Sequence, residues 1–221
     1  KADRAVYQAT NELVTLSGNP TWTMEMGDGR SDLLTIDPKS RQMFAEGNVS
    51  VKLHNIATNA LDFALPLASP RTNSTAPKNL DLEISAGLLR YKPGSAIFLK
   101  DVRVTSPHEA EQELSCEVLA AFFADQTNTL EELVAEDSVR IRQGALRATG
   151  QKAVFFVPKG VVELRGDALS GKPRLEMGGQ AYAADLLILD RNNHTFRLKG
   201  HYRIEMEQTA ARDLVRPSPV R

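Results

Sequence analysis

Glu46-Gly47-Asn48-Val49-Ser50-Val51 returns as Lys199-Gly200-His201-Tyr202-Arg203-Ile204, 153 residues later. In both, a glycine precedes a run in which apolar and polar residues alternate. Working outward, Ser31-Asp32-Leu33-Leu34-Thr35-Ile36-Asp37 returns at the same offset as Ala184-Asp185-Leu186-Leu187-Ile188-Leu189-Asp190. Further out, Leu16-Ser17-Gly18-Asn19 returns as Leu164-Arg165-Gly166-Asp167, and Ala5-Val6-Tyr7 as Ala153-Val154-Phe155. These two blocks are 148 residues apart, so one insertion of 5 residues between Gly166 and Asp185 reconciles the copies. Duplication of short β-type segments implies stacked β units rather than an enzyme fold with a single centre. Function is then expected along a repeated surface.

Alternation at period 2 supports this reading. Val49-Ser50-Val51-Lys52-Leu53, Val102-Arg103-Val104, Val139-Arg140-Ile141-Arg142 and Tyr202-Arg203-Ile204-Glu205-Met206 each place apolar side chains on one face. That is the pattern of half-buried antiparallel strands. Asp37-Pro38-Lys39-Ser40, Lys92-Pro93-Gly94-Ser95, Pro158-Lys159-Gly160 and Arg191-Asn192-Asn193 read as the turns between strands. Regular short strands of this kind predict an all-β barrel, sandwich or jelly roll. A looser third copy lies between the others, where Ala135-Glu136-Asp137-Ser138-Val139-Arg140-Ile141 takes the place of residues 45–51. The expected organisation is one domain at 1–208 with units at 2–53, 84–142 and 147–206. A long loop is expected at 54–80, around the Pro/Ser/Thr-rich stretch Leu65 to Pro77, and a flexible tail at 209–221. Glu109-Ala110-Glu111-Gln112-Glu113 reads as an acidic loop.

Composition narrows the function. The 221 residues carry 27 basic and 28 acidic side chains, a net charge of −1, which argues against a nucleic-acid partner. The lone cysteine, Cys116, rules out an intramolecular disulfide and reads as a strand residue. No apolar run approaches the roughly 20 residues that a membrane-spanning helix needs. The chain starts at Lys1, already inside the repeat, so a signal peptide or an inner-membrane tether ahead of it stays open.

Catalytic and metal signatures are sparse. His54, His108, His194 and His201 lack ligand spacing, and no nucleophile elbow, P-loop or dinucleotide fingerprint occurs. Asp28 with Asp32, or Glu131 and Glu132 with Glu136, read as solvated acids rather than as a catalytic pair. Neither an enzyme nor a cofactor nor a metal is expected. Gly47 and Gly200 read as bulge or turn positions without an accompanying polar cluster. Asp137 is their stand-in, since aspartate also tolerates positive φ.

The order of these blocks resembles the OstA-like family of lipopolysaccharide-transport proteins. The shared pattern is an Ala-x-Tyr strand, a Leu-x-Gly-x strand end, an Asp-x-Leu-x-Leu-Asp strand and a Gly-x-Val-x-Val strand, covering most of residues 2–206. The family includes LptA, the periplasmic domain of LptC and the N-terminal domain of LptD. The resemblance implies an open antiparallel β jelly roll, or β-taco, in which two sheets enclose an apolar trough for the acyl chains of lipid A. It also implies a periplasmic location in outer-membrane biogenesis of Gram-negative cells. The expected partners are lipopolysaccharide and other bridge proteins joined through edge-strand pairing, with a head-to-tail homo-oligomer as one form. Familiar small members are shorter and lack a segment like 54–80, which leaves the choice between LptA-like, LptC-like and LptD-like roles open.

Alternation and the repeat offsets select the trough residues. They are Val14, Leu16, Leu34, Ile36, Val49 and Val51 in the first unit, and Val162, Leu164, Leu187, Leu189, Tyr202 and Ile204 in the last. Val102, Val104, Val139 and Ile141 come from the middle. A plain core carries the same signature, so a β scaffold for structure or protein interaction, with no lipid, is the alternative. A carbohydrate-active β-helix would need coils of about 20–25 residues, and the period here is nearer 60.

Overall fold

In the computed structural model the alternating segments form strands. The structure describes residues 1–24, 27–57, 79–106, 109–124, 129–169, 171–193 and 195–206. The first strands are β1 (Arg4–Gln8), β2 (Leu13–Ser17), β3 (Thr21–Met24), β4 (Gly27–Arg30) and β5 (Leu33–Asp37). Six long ones follow: β6 (Gln42–Ala57), β7 (Asn79–Lys92), β8 (Ser95–Ser106), β9 (Glu109–Phe123), β10 (Leu130–Gln143) and β11 (Leu146–Phe156). After one 3-10 turn at Val157–Lys159 come β12 (Val161–Arg165), β13 (Arg174–Met177), β14 (Gln180–Ala183), β15 (Leu186–Asp190), β16 (Thr195–Lys199) and β17 (Arg203–Met206). All described pairings are antiparallel and join the 17 strands into one sheet.

The registers resolve this sheet into two walls. The first runs β1–β2–β5–β6, continues through β7 to β11, and ends β12–β15–β16. The second runs β3–β4–β6, passes through the other halves of β7 to β11, and ends β13–β14–β17. The long strands belong to both walls and cross between them at breaks in register. In β6 the break lies between Glu46 and Val49, in β8 between Leu99 and Val102, and in β10 between Glu136 and Val139. Each break holds two consecutive left-handed residues: Gly47 and Asn48, Lys100 and Asp101, Asp137 and Ser138. Setting two residues against one makes a β-bulge, which bends the strand. Repeating it on every second long strand creases the sheet lengthwise.

In the bulged strands the two left-handed residues keep one parity facing inward on both sides of the crease, whereas the unbulged β7 switches parity, from Leu89 to Ala86, Ile84 and Leu82. Met43 and Ala45 are buried before the crease in β6, and Val49, Val51 and Leu53 after it. These side chains and their equivalents form one hydrophobic cluster between the walls. Each fully buried Val, Leu, Ile or Phe in it contributes about 1.5–3 kcal/mol.

The two sequence copies are paired identically. Ala5 faces Leu16 as Ala153 faces Leu164, Leu16 faces Leu34 as Leu164 faces Leu187, and Gly29 faces Val51 as Tyr182 faces Ile204. β13 already stands 153 residues from β3, so the extra residues fall before Arg174, in the turn where Asp167 bridges Gly171. The sheet does not close into a barrel: among the described residues, strands β1, β16 and β17 each pair along one side only. The architecture is therefore an all-β open antiparallel jelly roll.

The structure departs from the sequence reading at two places. Strand β6 continues to Ala57 and β7 begins at Asn79, so strand occupies both ends of the segment read as a 54–80 loop. Its remainder, 58–78, and the 209–221 tail lie outside the described residues. Residues 109–113, read as an acidic loop, begin strand β9 instead. Gln112 and Glu113 are aligned opposite Gln143 and Arg142 of β10, and pairing overrides their low strand propensity.

Candidate functional site

The apolar interior is sealed in the middle and open at two edges. Leu34, Val49, Val51, Val102, Val104, Val139, Ile141, Leu164 and Leu187 are at most 2% exposed, and Val162 and Leu189 are also buried. Val14, Leu16 and Ile36 are half-buried near the first edge. Tyr202 and Ile204 differ sharply, at 65% and 49% exposed. Tyr202 was expected in a strand, but β17 begins only at Arg203.

Comparing the copies explains the difference. Tyr7 in β1 aligns with Val14 and is 62% exposed, whereas Phe155, its counterpart in β11, aligns with Val162 and is 1% exposed. Ile204 is half uncovered, whereas its counterpart Val51 is 2% exposed. Among the described residues β11 and β6 have strands on both sides, and β1 and β17 on one. The inner face therefore continues to β1 and β17 and is left uncovered there, while on β3 and β16 Trp22, Met24, Phe196 and Leu198 pack against the core. Met206, at 71% exposed, extends the uncovered stretch along β17.

Alternation does not single out Tyr7 or the aromatics flanking the two edges, and Met206, although in an alternating run, is not among the selected trough residues. Tyr7 was recoverable from its 148-residue offset to Phe155. Tyr182 meets Phe196 edge to face at 5.0 Å, beside β17. At the other end Trp22 lies over Gly29 in the opposite strand, where an added Cβ would come within 2.2 Å of the indole ring. In the last copy the bulk has changed strands: Leu175 holds the tryptophan's place and Tyr182 the glycine's. The indole Nε1 of Trp22 is buried and has no hydrogen-bond partner among the described residues.

Polar side chains line the crease. An added Cβ at Gly47 would stand 2.3 Å from Asp32 Oδ2, and one at Gly200 would stand 2.1 Å from Asp185 Oδ2. The repeated glycine does have a polar companion, contrary to the sequence reading. Asp32 accepts from Asn48 Nδ2 at 2.9 Å, and Asp185 from the His201 backbone N–H at 2.8 Å. The Lys172 ammonium, 2.9 Å away, and that N–H lower the Asp185 pKa to about 2.

Asp28 and Asp32 do not form a pair; Asp28 is bonded to His54 and Asp32 to Asn48. Glu136 is bonded to Lys152. His54 sits between Asp28 at 3.1 Å and Asp81 at 3.3 Å, which raise its pKa. Burial pushes the Cys116 thiol up to about 12, so it packs as an inert apolar residue. Among the described residues no cluster of His, Cys, Asp and Glu could hold a metal ion. His108 and His194 lie outside them.

No known family model matches the chain, and no curated protein does. Among solved structures the chain is similar to the crystal structure of LptH, described as the LptA-homologous periplasmic component of the conserved lipopolysaccharide transport device from Pseudomonas aeruginosa. The similarity covers 57% of this chain and 94% of LptH, at 12% identity and a TM-score of 0.48.

Proposed function

We propose that residues 1–208 form a non-enzymatic periplasmic lipid carrier or bridge component that binds lipopolysaccharide through its lipid A acyl chains. One observation carries this reading: an apolar inner face runs through an unclosed sheet and is uncovered at one terminal strand of each wall, at Tyr7 on β1 and at Ile204 with Met206 on β17. The order of the sequence blocks, which resembles the OstA-like transport family, supports it independently. Acyl chains laid on that face would leave water at about 0.8 kcal/mol per buried CH₂. The unpaired backbones of β1, β16 and β17 suit strand addition by other bridge proteins or by a second copy, end to end. Such addition would also cover the uncovered side chains.

The second reading is a β scaffold for structure or protein interaction, without lipid. The sealed middle favours it, because Val49, Val102, Val139 and Leu187 are already buried within one hydrophobic cluster. Native mass spectrometry of protein taken from a Gram-negative envelope separates the two. The carrier reading expects adducts with the mass of lipopolysaccharide that survive gentle desolvation. Bare protein throughout, including monomers with free edges, would leave the scaffold reading standing.

A further inference from the structure

The outer face of the second wall carries an arginine row that the lipid-carrier reading does not use. The registers align Arg103 in β8, Arg140 in β10, Arg174 in β13 and Arg203 in β17 across the sheet, one on every second strand. Arg30 in β4 extends the same row through Ser50 and Ser85. With strands about 4.8 Å apart, the row is roughly 40 Å long, with arginines about 10 Å apart over most of it.

Most of this charge is answered on the sheet, but not at its centre. Arg103 pairs with Glu113 at 3.2 Å, Arg174 with Glu176 at 2.8 Å, and Arg203 with Glu205 at 3.1 Å. Among the described residues Arg140 is in no ion pair, nor are Arg142 and Arg147, which the register sets directly opposite each other on β10 and β11. Their acidic neighbours along the row, Glu113 and Glu176, are already engaged. All three arginines are exposed, and the residues between them, Ile141 and Ala148, are anchored in the core. Like charges directly across an antiparallel pair are destabilising. The hairpin thus holds three guanidinium groups on a rigid support, outside any ion pair among the described residues.

We propose that this face docks on an anionic phospholipid surface, with Arg140, Arg142 and Arg147 as its centre. Guanidinium forks match phosphate oxygens bidentately. The cluster lies on an open sheet face, and the row around it is extended, so a surface bearing many phosphates fits better than one small anion. Charge and register define this docking face whether or not the interior holds lipid.

The test is co-sedimentation of the full chain with vesicles of 30% phosphatidylglycerol in phosphatidylcholine, against pure phosphatidylcholine, at low and physiological salt. Preferential binding to the anionic vesicles is expected, weakening as salt screens the charges. The R142Q/R147Q variant should bind about 30-fold more weakly, at about fivefold per arginine near an anionic surface. R174Q/R203Q, whose charges are already neutralised by glutamates, should lose less than threefold. The melting temperature of R142Q/R147Q should equal or exceed that of the wild type, because a repulsion has been removed, so lost binding would not reflect unfolding. Binding that ignores phosphatidylglycerol, or that survives R142Q/R147Q, would overturn the proposal. So would saturable binding of inorganic pyrophosphate without any vesicle preference, which would mark a site for a small anion.

Discussion

His54 faces a carboxylate from each ring nitrogen, Asp28 on β4 and Asp81 on β7. Only the doubly protonated ring donates to both, so the folded state holds its proton more tightly than the unfolded chain does. Its pKa is raised, chiefly by the Asp28 bond and then by Asp81. Stability from this triad is therefore fully present below the unfolded value of about 6.5 and fades as pH rises through the folded value. Replacing the ring by H54Q should lower the melting temperature most near about pH 5.5, with the gap to wild type closing by about pH 9. A gap independent of pH would show that the ring acts by packing instead. No single-residue signal in the sequence pointed to this triad. Its members lie 26 and 27 residues from His54 and meet only through strand pairing.

At the scale of the element, the bulge decides the architecture. Without it, the long strands would build one flat sheet with an exposed apolar face; with it, the sheet folds on itself and buries that face. The sequence made the bulge visible as a glycine before a strand and as Asp137 in the middle copy. Its companion, the carboxylate of Asp32 or Asp185, stayed hidden because alternation reports which way a side chain points, not what it meets. The pairing makes the glycines sensitive. Gly47 and Gly200 have φ of 71° and 81°, where an L side chain costs about 1–2 kcal/mol, and each would also displace the aspartate. G47A and G200A should each lower the unfolding free energy by at least that amount in urea melts. D137G, at the equivalent place with φ of 63°, should be neutral or stabilising. Equal tolerance at all three positions would mean that the crease does not depend on left-handed backbone.

Over the whole molecule, a repeat that is uniform in sequence becomes unequal in structure. Val51 and Ile204 hold equivalent places, and pairing repeats around them, yet one is buried and the other half exposed. Position in the array makes the difference: inner copies are covered by neighbours, and terminal strands have none. Periodicity therefore identified the inner face but could not say which of its residues remain uncovered. Of the selected set, most became core, while Tyr202 and Ile204 stayed accessible and Tyr7 joined them at the opposite end. This contrast is the basis of the proposed lipid path. Photo-crosslinking in Gram-negative cells tests it most directly, with a crosslinking residue placed at Tyr7, Tyr202 or Ile204 and, for reference, at the outward positions Arg90 and Arg203. The account predicts lipopolysaccharide adducts from the three inner-face positions and none from the references. Adducts confined to Arg90 or Arg203, or absent from all five positions, would contradict it.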